Sequence, residues 1–430
     1  MKDLLHFEEQ RLGNGLATRT MNQSKSKEQQ VQGDQEADAS LIGNVMQAEL
    51  GDILMLSLQK VPQIRKEAVT CVGALLTQGL VNPSQCIPNL VALETDRVHE
   101  VRDAAFSQLL ELFEKVQSDF HTPSVKGIKD SYSFQLRVYG NVTALGIDEN
   151  KKDFCLFGRL YRKFLKWTKS REPPFLKALV KQFTDQGSVL KLRKGKPATA
   201  NSKTFTSDLK YLCYLAQIIS TLPYIVEDEL LYIIYSINRY ASLRLGPVLD
   251  DLREAFVDAG VAPEQLKDDE SDLSTICIDD YQSLRQLTEQ ELVVLQTNGC
   301  IAFAIGLMLR LKFALKRNYQ LDNEKCATYK PSAPETPIEA KERSPKKLLL
   351  PSVDDLCQTD NSIKLAWNLF MVAWHTARED QKQLDVDLDE AQAPKPTPKR
   401  RRRSRKIVVS KKQSSEDDSD NEDEYIDGFG

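Results

Sequence analysis

Basic side chains recur at helical spacing in the segment DFCLFGRLYRKFLKW, residues 153–167. The cations that the helical period places on one face are Arg159, Arg162, Lys163 and Lys166. Leucine, phenylalanine and tryptophan fall on another face of the same predicted helix. Contact with nucleic-acid phosphates requires several long cations on one surface. The pattern therefore favours DNA or RNA backbone contact, with a merely solvated helix face as the alternative for any single residue.

Two further basic groups are candidates for the same contact. Residues 185–207 break the helical pattern and predict a loop, whose candidate cations are Lys191, Arg193, Lys194 and Lys196. A long helical pattern further along the chain supplies a weaker group, Arg310, Lys312, Lys316 and Arg317. No base-reading element is visible, so the sequence predicts binding that does not depend on nucleotide sequence.

The end of the chain is low in complexity, first basic and then acidic. The basic run is typical of a nuclear localisation signal and comprises Lys399, Arg400, Arg401, Arg402, Arg403, Arg405 and Lys406. A nonspecific polycation is the alternative reading. The serines with an acidic residue three positions later, a pattern that suits acidophilic kinases, are Ser414, Ser415 and Ser419. Phosphorylation there would deepen the negative block and could mask the basic one.

Residue types that perform covalent or metal chemistry are sparse in the 430 residues. The four histidines do not pair with cysteine or acid at metal-ligand spacing, and the eight cysteines form no CxxC. Sequence motifs of phosphate-binding loops, nucleophile elbows and HExxH metalloproteases do not occur. The sequence predicts a protein that works by binding, without catalysis, cofactor or metal, and with reduced, buried cysteines. An active site assembled from scattered residues is the competing class.

No segment predicts a membrane span or a cleaved leader. The N-terminal MKDLLHFEEQRLGNG has no apolar core of signal-peptide length. The most apolar stretch, Cys300 to Leu309, stops at Arg310 and is shorter than the about twenty residues that a bilayer requires. A helix buried on all sides is the better interpretation.

The elements that must position these side chains are helices joined by short turns. PQIRKEAVTCVGALL, residues 62–76, resembles DRVHEVRDAAFSQLLELF, residues 96–113, because each carries a branched aliphatic residue followed by arginine and then alanine three positions on. The two pairs, Ile64–Arg65 and Val101–Arg102, indicate a repeat with a period near forty residues. Such a period predicts stacked helical hairpins of the HEAT type, in which the apolar stripe of each repeat is buried by its neighbours. An ordinary helical domain with one duplicated hairpin is the alternative.

Local signals fix several helix ends. Pro62 and Pro83 suit first-turn positions, Asn82 and Thr288 are predicted caps, and Gly79 is a predicted helix terminator. Asp96 is expected to cap the second repeat helix. The arginine of each signature is expected to reach acidic groups or carbonyls of a neighbouring repeat and so tie its register.

The fold class predicted from these signals is all-α, a HEAT-repeat α-solenoid with disordered tails. The predicted organisation is a disordered segment at 1–38, a HEAT-like solenoid at 39–325, a linker and docking helix at 326–384, and a disordered basic-then-acidic tail at 385–430. Residues 260–285 are acidic and predict a loop or insertion.

One block resembles a known family. TQGLVNPSQCIPNLVALETD, residues 77–96, is similar to the C-terminal HEAT region of the cohesin-loading Nipped-B, or adherin, family. Supporting matches are GIKDSY at 127–132, LCYLAQIISTLPY at 212–224 and YKPSAPE at 329–335. The resemblance implies a hook-shaped solenoid that contacts DNA, the kleisin and the SMC heads, stimulates the cohesin ATPase and promotes loading onto chromatin. The family's N-terminal extension is absent here, which puts binding of the smaller loader subunit in doubt.

Together these expectations describe a nuclear, chromatin-associated scaffold that promotes loading of the cohesin ring onto DNA by binding DNA and the SMC and kleisin subunits. The alternative is a generic HEAT-repeat adaptor in nuclear transport or phosphatase assembly.

Overall fold

The computed structural model describes residues 28–115, 120–147, 153–166, 172–184, 202–261, 287–331, 348, 353 and 362–392. The helices of the first half are α1 (Glu28–Leu56), α2 (Pro62–Thr77), α3 (Pro83–Leu93), α4 (His99–Lys115), α5 (His121–Tyr139) and the short α6 (Gly158–Leu160). The helices of the second half are α7 (Pro174–Thr184), α8 (Ser202–Thr221), α9 (Glu227–Tyr240), α10 (Gly246–Asp258), α11 (Glu289–Tyr319), α12 (Asn323–Thr328) and α13 (Ser362–Gln392). Strands β1 (Leu145–Ile147) and β2 (Asp153–Cys155) form an antiparallel pair.

The predicted helix boundaries around the first repeat are confirmed. Pro62 is the first residue of α2, and Pro83 is the first residue of α3. Asn82 caps α3 because its side-chain oxygen accepts a hydrogen bond from the Ser84 amide at 3.0 Å. Gly79 follows α2 with φ of +70°, a conformation that glycine adopts without the steric cost of a Cβ atom.

Thr288 and Glu291 form the predicted capping box at the start of α11. The Thr288 hydroxyl oxygen accepts from the Glu291 amide at 3.3 Å, and the Glu291 carboxylate accepts from the Thr288 amide at 2.8 Å. Sequence signals therefore locate the ends of helices far apart in the chain.

The repeat predicted from the Ile64–Arg65 and Val101–Arg102 pairs is present as stacked helices. Helix α2 packs against α4, and α3 packs against both α4 and α5. Helix α1 lies beside α3, since the Asn89 side-chain amide donates to the Leu54 carbonyl at 2.9 Å. Alternate helices thus share a layer, with α1, α3 and α5 in one and α2 and α4 in the other. This arrangement is the all-α helical repeat that the sequence predicts.

Close approach within the first layer depends on Gly127 of α5. A Cβ atom at this position would lie 2.5 Å from the Cβ of Val91 and 2.8 Å from the carbonyl oxygen of Pro88, both on α3. These distances are shorter than van der Waals contact, so only glycine lets α5 settle onto α3.

Helix α11 is the central apolar element of the second half. It packs against α8, α9 and α10, and its residues from Cys300 to Ile305 are buried. By length and composition alone it would suffice to cross a membrane, but 72% of its most apolar window is buried inside the protein. A core helix meets the same criteria, in agreement with the sequence prediction of a helix buried on all sides.

The docking helix predicted near the C-terminus is α13. Trp367 and Phe370 are fully buried, and their rings lie 5.4 Å and 5.3 Å from that of Phe256 on α10. Gln296 of α11 donates a hydrogen bond to the Ser362 hydroxyl at 3.1 Å. Aromatic packing therefore attaches α13 to α10, and the hydrogen bond joins its first residue to α11.

Four boundaries differ from the sequence prediction. Helix α8 begins at Ser202, within the segment 185–207 that was predicted as a loop. Residues 153–155, predicted as part of a helix, form β2, because Phe154 pairs in register with Gly146 of β1. Helix α1 begins at Glu28, within the segment 1–38 that was expected to be disordered, and α13 extends to Gln392, beyond the expected boundary at 384. The extension at 28–38 is rich in Gln and Glu, which prolong a helix once packing has nucleated it. The extension at 385–392 is mainly acidic.

Candidate nucleic-acid interface

The predicted basic helix is in fact a π-helical turn, Tyr161–Leu165, that continues α6. The Lys166 amide donates to the Tyr161 carbonyl, five residues earlier, at 2.9 Å. Tyr161, Phe164 and Leu165 are buried, whereas Arg162, Lys163 and Lys166 are exposed. The turn therefore holds its apolar residues inside and presents a group of three cations, which we call the basic turn.

An aromatic cluster anchors the basic turn to the repeat stack. The Phe164 ring lies 4.8 Å from that of Phe113 on α4, 5.3 Å from that of Phe120 and 5.7 Å from that of Phe106. Tilted contacts at these distances stabilise the turn beyond simple burial. The cations are consequently carried by an element with a fixed apolar support.

Arg159 does not belong to this surface. Its guanidinium donates to both carboxylate oxygens of Glu94, at 2.8 Å and 3.1 Å, and to Asp103 at 2.6 Å. It also lies 4.4 Å above the Phe106 ring. Arg159 thus ties α6 to the end of α3 and to α4, and the prediction that it shares a phosphate-facing surface with Arg162 does not fit this geometry. The prediction assumed 3.6 residues per turn, and the π-helical hydrogen bond shifts the angular positions of the residues that follow Arg159.

The acidic partners of Arg159 have opposite titration properties. Burial raises the pKa of Glu94 to about 7, and the hydrogen bond from Arg159 opposes that rise. The same guanidinium lowers the pKa of Asp103, which is much more exposed. The junction of α3, α4 and α6 therefore contains a carboxyl group that titrates near neutral pH.

The second predicted group of cations, on α11, also contains one structural residue beside accessible ones. Lys312 is 2% exposed, and its ammonium donates to both carboxylate oxygens of Asp380 on α13, at 2.6 Å and 2.7 Å. Burial lowers the pKa of Lys312, an effect that Asp380 partly offsets. Lys312 is therefore a structural tie between α11 and α13 and is not available to a phosphate. The helical spacing of α11 does not show this burial, because Asp380 comes from a helix 68 residues further along the chain.

The remaining α11 cations are accessible. Arg310 and Arg317 are exposed on one side of the helix, with Phe313 between them, and Lys316 is half-buried. Two exposed guanidinium groups and the half-buried Lys316, rather than four cations, make up the second candidate surface.

Other predicted site residues lie outside the described part of the chain. They are the loop cations Lys191, Arg193, Lys194 and Lys196, the localisation-signal residues 399–406, and the serines 414, 415 and 419.

Helical spacing did not single out the exposed lysines of two packed helices. Lys126 and Lys129 are exposed on α5, which packs against α7, and Lys181 is exposed in the last turn of α7. Residues 185–201, which include the predicted loop cations, connect α7 to α8. These lysines form no local run, because 52 positions separate Lys129 from Lys181.

Groups suited to metal binding are not found among the described residues, where no set of three His, Cys, Asp or Glu side chains is suitably placed. Cys86 is fully buried and its pKa is raised to about 12 by that burial. Such a thiol is poorly reactive.

Comparison with known proteins identifies the repeat region. Residues 42–240 match the family model described as "Sister chromatid cohesion C-terminus". The chain is 26% identical to Nipped-B-like protein B of Danio rerio over 238 residues, which cover 54% of this chain and 8% of that protein. It is 25% identical to Nipped-B-like protein of Homo sapiens over 224 residues, covering 52% and 7%. It is 24% identical to Nipped-B protein of Drosophila melanogaster over 322 residues, covering 72% and 14%.

The chain therefore spans only a small part of the length of these relatives. The matched segment nevertheless runs from within α1 to the end of α9 and contains Gly79 and Gly127 described above. Residues 42–240 of this chain are therefore similar to the C-terminal region of the Nipped-B family.

Proposed function

We propose that this chain is a nuclear, chromatin-associated scaffold that acts in sister chromatid cohesion and contributes to the loading of cohesin onto DNA. The observation that carries the proposal is the match of residues 42–240 to a family model described by sister chromatid cohesion. The stacked helices α1 to α5 support a scaffold role, because such stacks present extended surfaces for binding.

DNA backbone contact is assigned to the basic turn, with Arg162, Lys163 and Lys166 as the principal cations. The described residues place no carboxylate within ion-pair distance of these three, so their charge is available to phosphates. The loop cations Lys191, Arg193, Lys194 and Lys196 and the α11 residues Arg310, Lys316 and Arg317 are the proposed additional contacts.

Protein partners are proposed from the family. They are the SMC and kleisin subunits of cohesin, held by surfaces of the stack other than the basic turn. The chain is proposed to favour the state of the ring that grips DNA, by binding it rather than by chemistry of its own. The basic run at 399–406 would direct the chain to the nucleus, and a fluorescent fusion lacking that run is expected to lose nuclear accumulation.

Salt-dependent DNA binding tests the interface. We expect the affinity for duplex DNA to fall steeply with salt, and Arg162→Glu/Lys163→Glu/Lys166→Glu to reduce the slope of log K against log salt by about 2–3. The matched control is Lys60→Glu/Lys330→Glu/Lys382→Glu, which makes the same change of net charge at exposed lysines elsewhere. Equal slopes for the two triple variants would contradict the proposed location of the interface.

Loading itself is tested with the assembled ring. The full chain is expected to retain the SMC–kleisin complex in a pull-down, more strongly with DNA, and to stimulate its ATPase activity. Binding to a peptide motif that is insensitive to salt, without retention of the ring, would favour a generic HEAT adaptor instead.

A further inference from the structure

Two helix connections and the end of α5 meet at one edge of the repeat stack. The buried guanidinium of Arg65, which is neutralised by Asp96, donates to the carbonyl oxygens of Gln59 and Lys60 in the connection from α1 to α2, each at 2.9 Å. It also donates to the hydroxyl of Tyr139, the last residue of α5, at 3.1 Å. That hydroxyl donates to Asp96, in the connection from α3 to α4, at 2.6 Å. One buried ion pair therefore fixes three chain segments side by side.

Exposed cations lie on these segments, one on each. They define what we call the turn edge and are Lys60, Arg97 and Arg137. Arg137 donates to the Leu58 carbonyl oxygen at 2.9 Å, and the guanidinium carbon of Arg97 lies 4.4 Å from the centroid of the Tyr139 ring. Arg97 also donates to the side-chain oxygen of Asn141. These acceptors are uncharged, so they hold the two guanidinium groups in place without cancelling their charge.

The positive charge of the turn edge is not compensated by the acids of the same connections. Asp96 is paired with Arg65, and Glu94 is buried against Arg159. In the ranges that the structure describes, no carboxylate lies within ion-pair distance of the three turn-edge cations. Because both guanidinium groups are already ordered, less side-chain entropy is lost when they bind an anion.

Exposed aliphatic side chains beside these cations indicate what kind of anion fits. Leu136 is 49% exposed and lies one turn before Tyr139 on the same face of α5. Leu56 is 47% exposed and ends α1, two residues before the carbonyl that holds Arg137. A nucleic-acid backbone presents phosphates and sugars, which gain nothing from leucine. A protein segment that combines acidic and aliphatic side chains matches both features.

We propose that the turn edge binds an acidic, extended segment of a protein partner, with carboxylates on Arg97 and Arg137 and aliphatic side chains on Leu56 and Leu136. Guanidinium groups suit this role, because their planar fork matches the two oxygens of a carboxylate. The inference rests on the proposed scaffold function and deepens it, since it assigns a surface and a chemistry to a protein contact. That contact uses none of the residues of the basic turn.

Fluorescence anisotropy of a labelled peptide, titrated with the full chain, tests the proposal. The probe is a synthetic peptide that repeats Glu-Glu-Leu, and two control peptides carry Gln in place of Glu or Gly in place of Leu. We expect saturable binding of the probe that weakens with salt, and weaker binding of both control peptides. The chain has a formal net charge of −4, so attraction by its overall charge cannot produce this binding.

Variants of the turn edge locate the contact. Arg97→Gln/Arg137→Gln is expected to weaken probe binding by about tenfold, because two charge-assisted contacts are lost. Lys60→Gln should weaken it by about twofold, and this exposed side chain has no hydrogen-bond partner within the described residues, so the fold is not disturbed. Lys126→Gln/Lys129→Gln is the matched control, because it removes the same charge from exposed positions of α5 and should leave probe affinity unchanged.

Three results would overturn the proposal. One is the lack of saturable probe binding, and another is an equal loss of affinity in the turn-edge and control variants. The third is a larger loss of duplex-DNA affinity than of probe affinity in Arg97→Gln/Arg137→Gln, because a nucleic acid would then be the occupant. The peptide titration contains neither DNA nor cohesin, so its failure leaves the scaffold function in place. Failure to retain the SMC–kleisin complex, with probe binding intact, would count against the scaffold function alone.

Discussion

Arg65 and Asp96 form a fully buried, bidentate ion pair that joins two consecutive repeats. The guanidinium Nε donates to Oδ2 of Asp96 at 2.6 Å, and Nη2 donates to Oδ1 at 2.9 Å. The Tyr139 hydroxyl donates to Oδ1 at 2.6 Å, and the Val98 amide donates to the same atom at 2.9 Å. The other N–H groups of Arg65 donate to the carbonyl oxygens of Gln59 and Lys60 and to the Tyr139 hydroxyl. A buried ion pair is tolerated when additional hydrogen bonds of this kind satisfy it.

Removing one member of this pair should destabilise the whole stack. Arg65→Met leaves the Asp96 carboxylate buried without its cation, so we expect the free energy of unfolding to fall by about 3–5 kcal/mol in urea denaturation. The double variant Arg65→Met/Asp96→Leu should lose less than the sum of the two single changes.

Lys66→Met is the matched control, because the neighbouring Lys66–Glu100 pair is exposed and should matter little. If Lys66→Met and Arg65→Met were equally destabilising, the buried pair would not be what fixes the register of the repeats.

Gly127 should not tolerate any side chain. In Gly127→Ala the new Cβ would lie 2.5 Å from that of Val91, so α5 must move away from α3, and we expect a loss of about 1–3 kcal/mol in thermal or urea unfolding. Gly306→Ala provides the contrast, since no atom lies within 4 Å of the added Cβ on α11. That substitution should stabilise the protein by up to about 1 kcal/mol through helix propensity. If Gly127→Ala and Gly306→Ala changed stability in the same direction, the close approach of α5 to α3 would not explain the glycine at position 127.

Glu94 should make the free energy of unfolding depend on pH between 4.5, the ordinary pKa of its carboxyl group, and about 7, its pKa in the folded protein. Because burial raises its pKa in the folded state, the folded protein binds more protons than the unfolded chain in this window. Stability contributed by protonated Glu94 is therefore present below pH 4.5 and is lost as the pH rises to 7, by up to about 3 kcal/mol.

The measurement is a series of urea denaturations from pH 4.5 to 7.5 on the unaltered chain and on Glu94→Gln. The free energy of unfolding is plotted against pH for both proteins, and the difference between the two slopes is the contribution of Glu94. Other titrating groups, such as His121, whose pKa is lowered by burial, contribute equally to both. Parallel pH profiles for the two proteins would show that Glu94 remains ionised throughout beside Arg159.

The cations of α11 should separate into structural and binding residues. Lys312→Met is expected to cost about 3–5 kcal/mol of stability, because the Asp380 carboxylate then stays buried without a partner. Lys312→Met/Asp380→Leu should recover much of that loss while leaving DNA affinity unchanged.

Arg310→Glu/Arg317→Glu, at exposed positions, should instead weaken DNA binding and leave the melting temperature within a few degrees of the original. Loss of DNA affinity in Lys312→Met/Asp380→Leu, with the fold intact, would mean that Lys312 leaves Asp380 to reach phosphate.

Sequence patterns predicted the features that local chemistry decides. The period between the Ile64–Arg65 and Val101–Arg102 pairs gave the stacked helices, and cap residues such as Asn82 and Thr288 gave helix starts. The expected role of the signature arginine is confirmed for Arg65, which reaches Asp96 of the next repeat. Arg102 instead donates to the carbonyl oxygen of Asp96 within its own repeat, at 3.0 Å.

Sequence patterns did not predict the features that depend on tertiary packing. Arg159 and Lys312 look like their exposed neighbours in the sequence, and only the carboxylates of Glu94 and Asp380, brought from distant helices, show that they are structural. The π-helical hydrogen bond from Lys166 to Tyr161 likewise has no periodic signature, because it changes the period on which the prediction rests.

The burial of α11 has a consequence for how the protein is made. The apolar helix α11 leaves the ribosome before α13, which contacts one side of it. Residues 320–361 must be synthesised between the two helices. During that interval α11, which is long and apolar enough to cross a bilayer, is only partly covered by other helices. We therefore expect the nascent chain to need holdase chaperones until α13, whose Ser362 and Asp380 contact α11, has been synthesised.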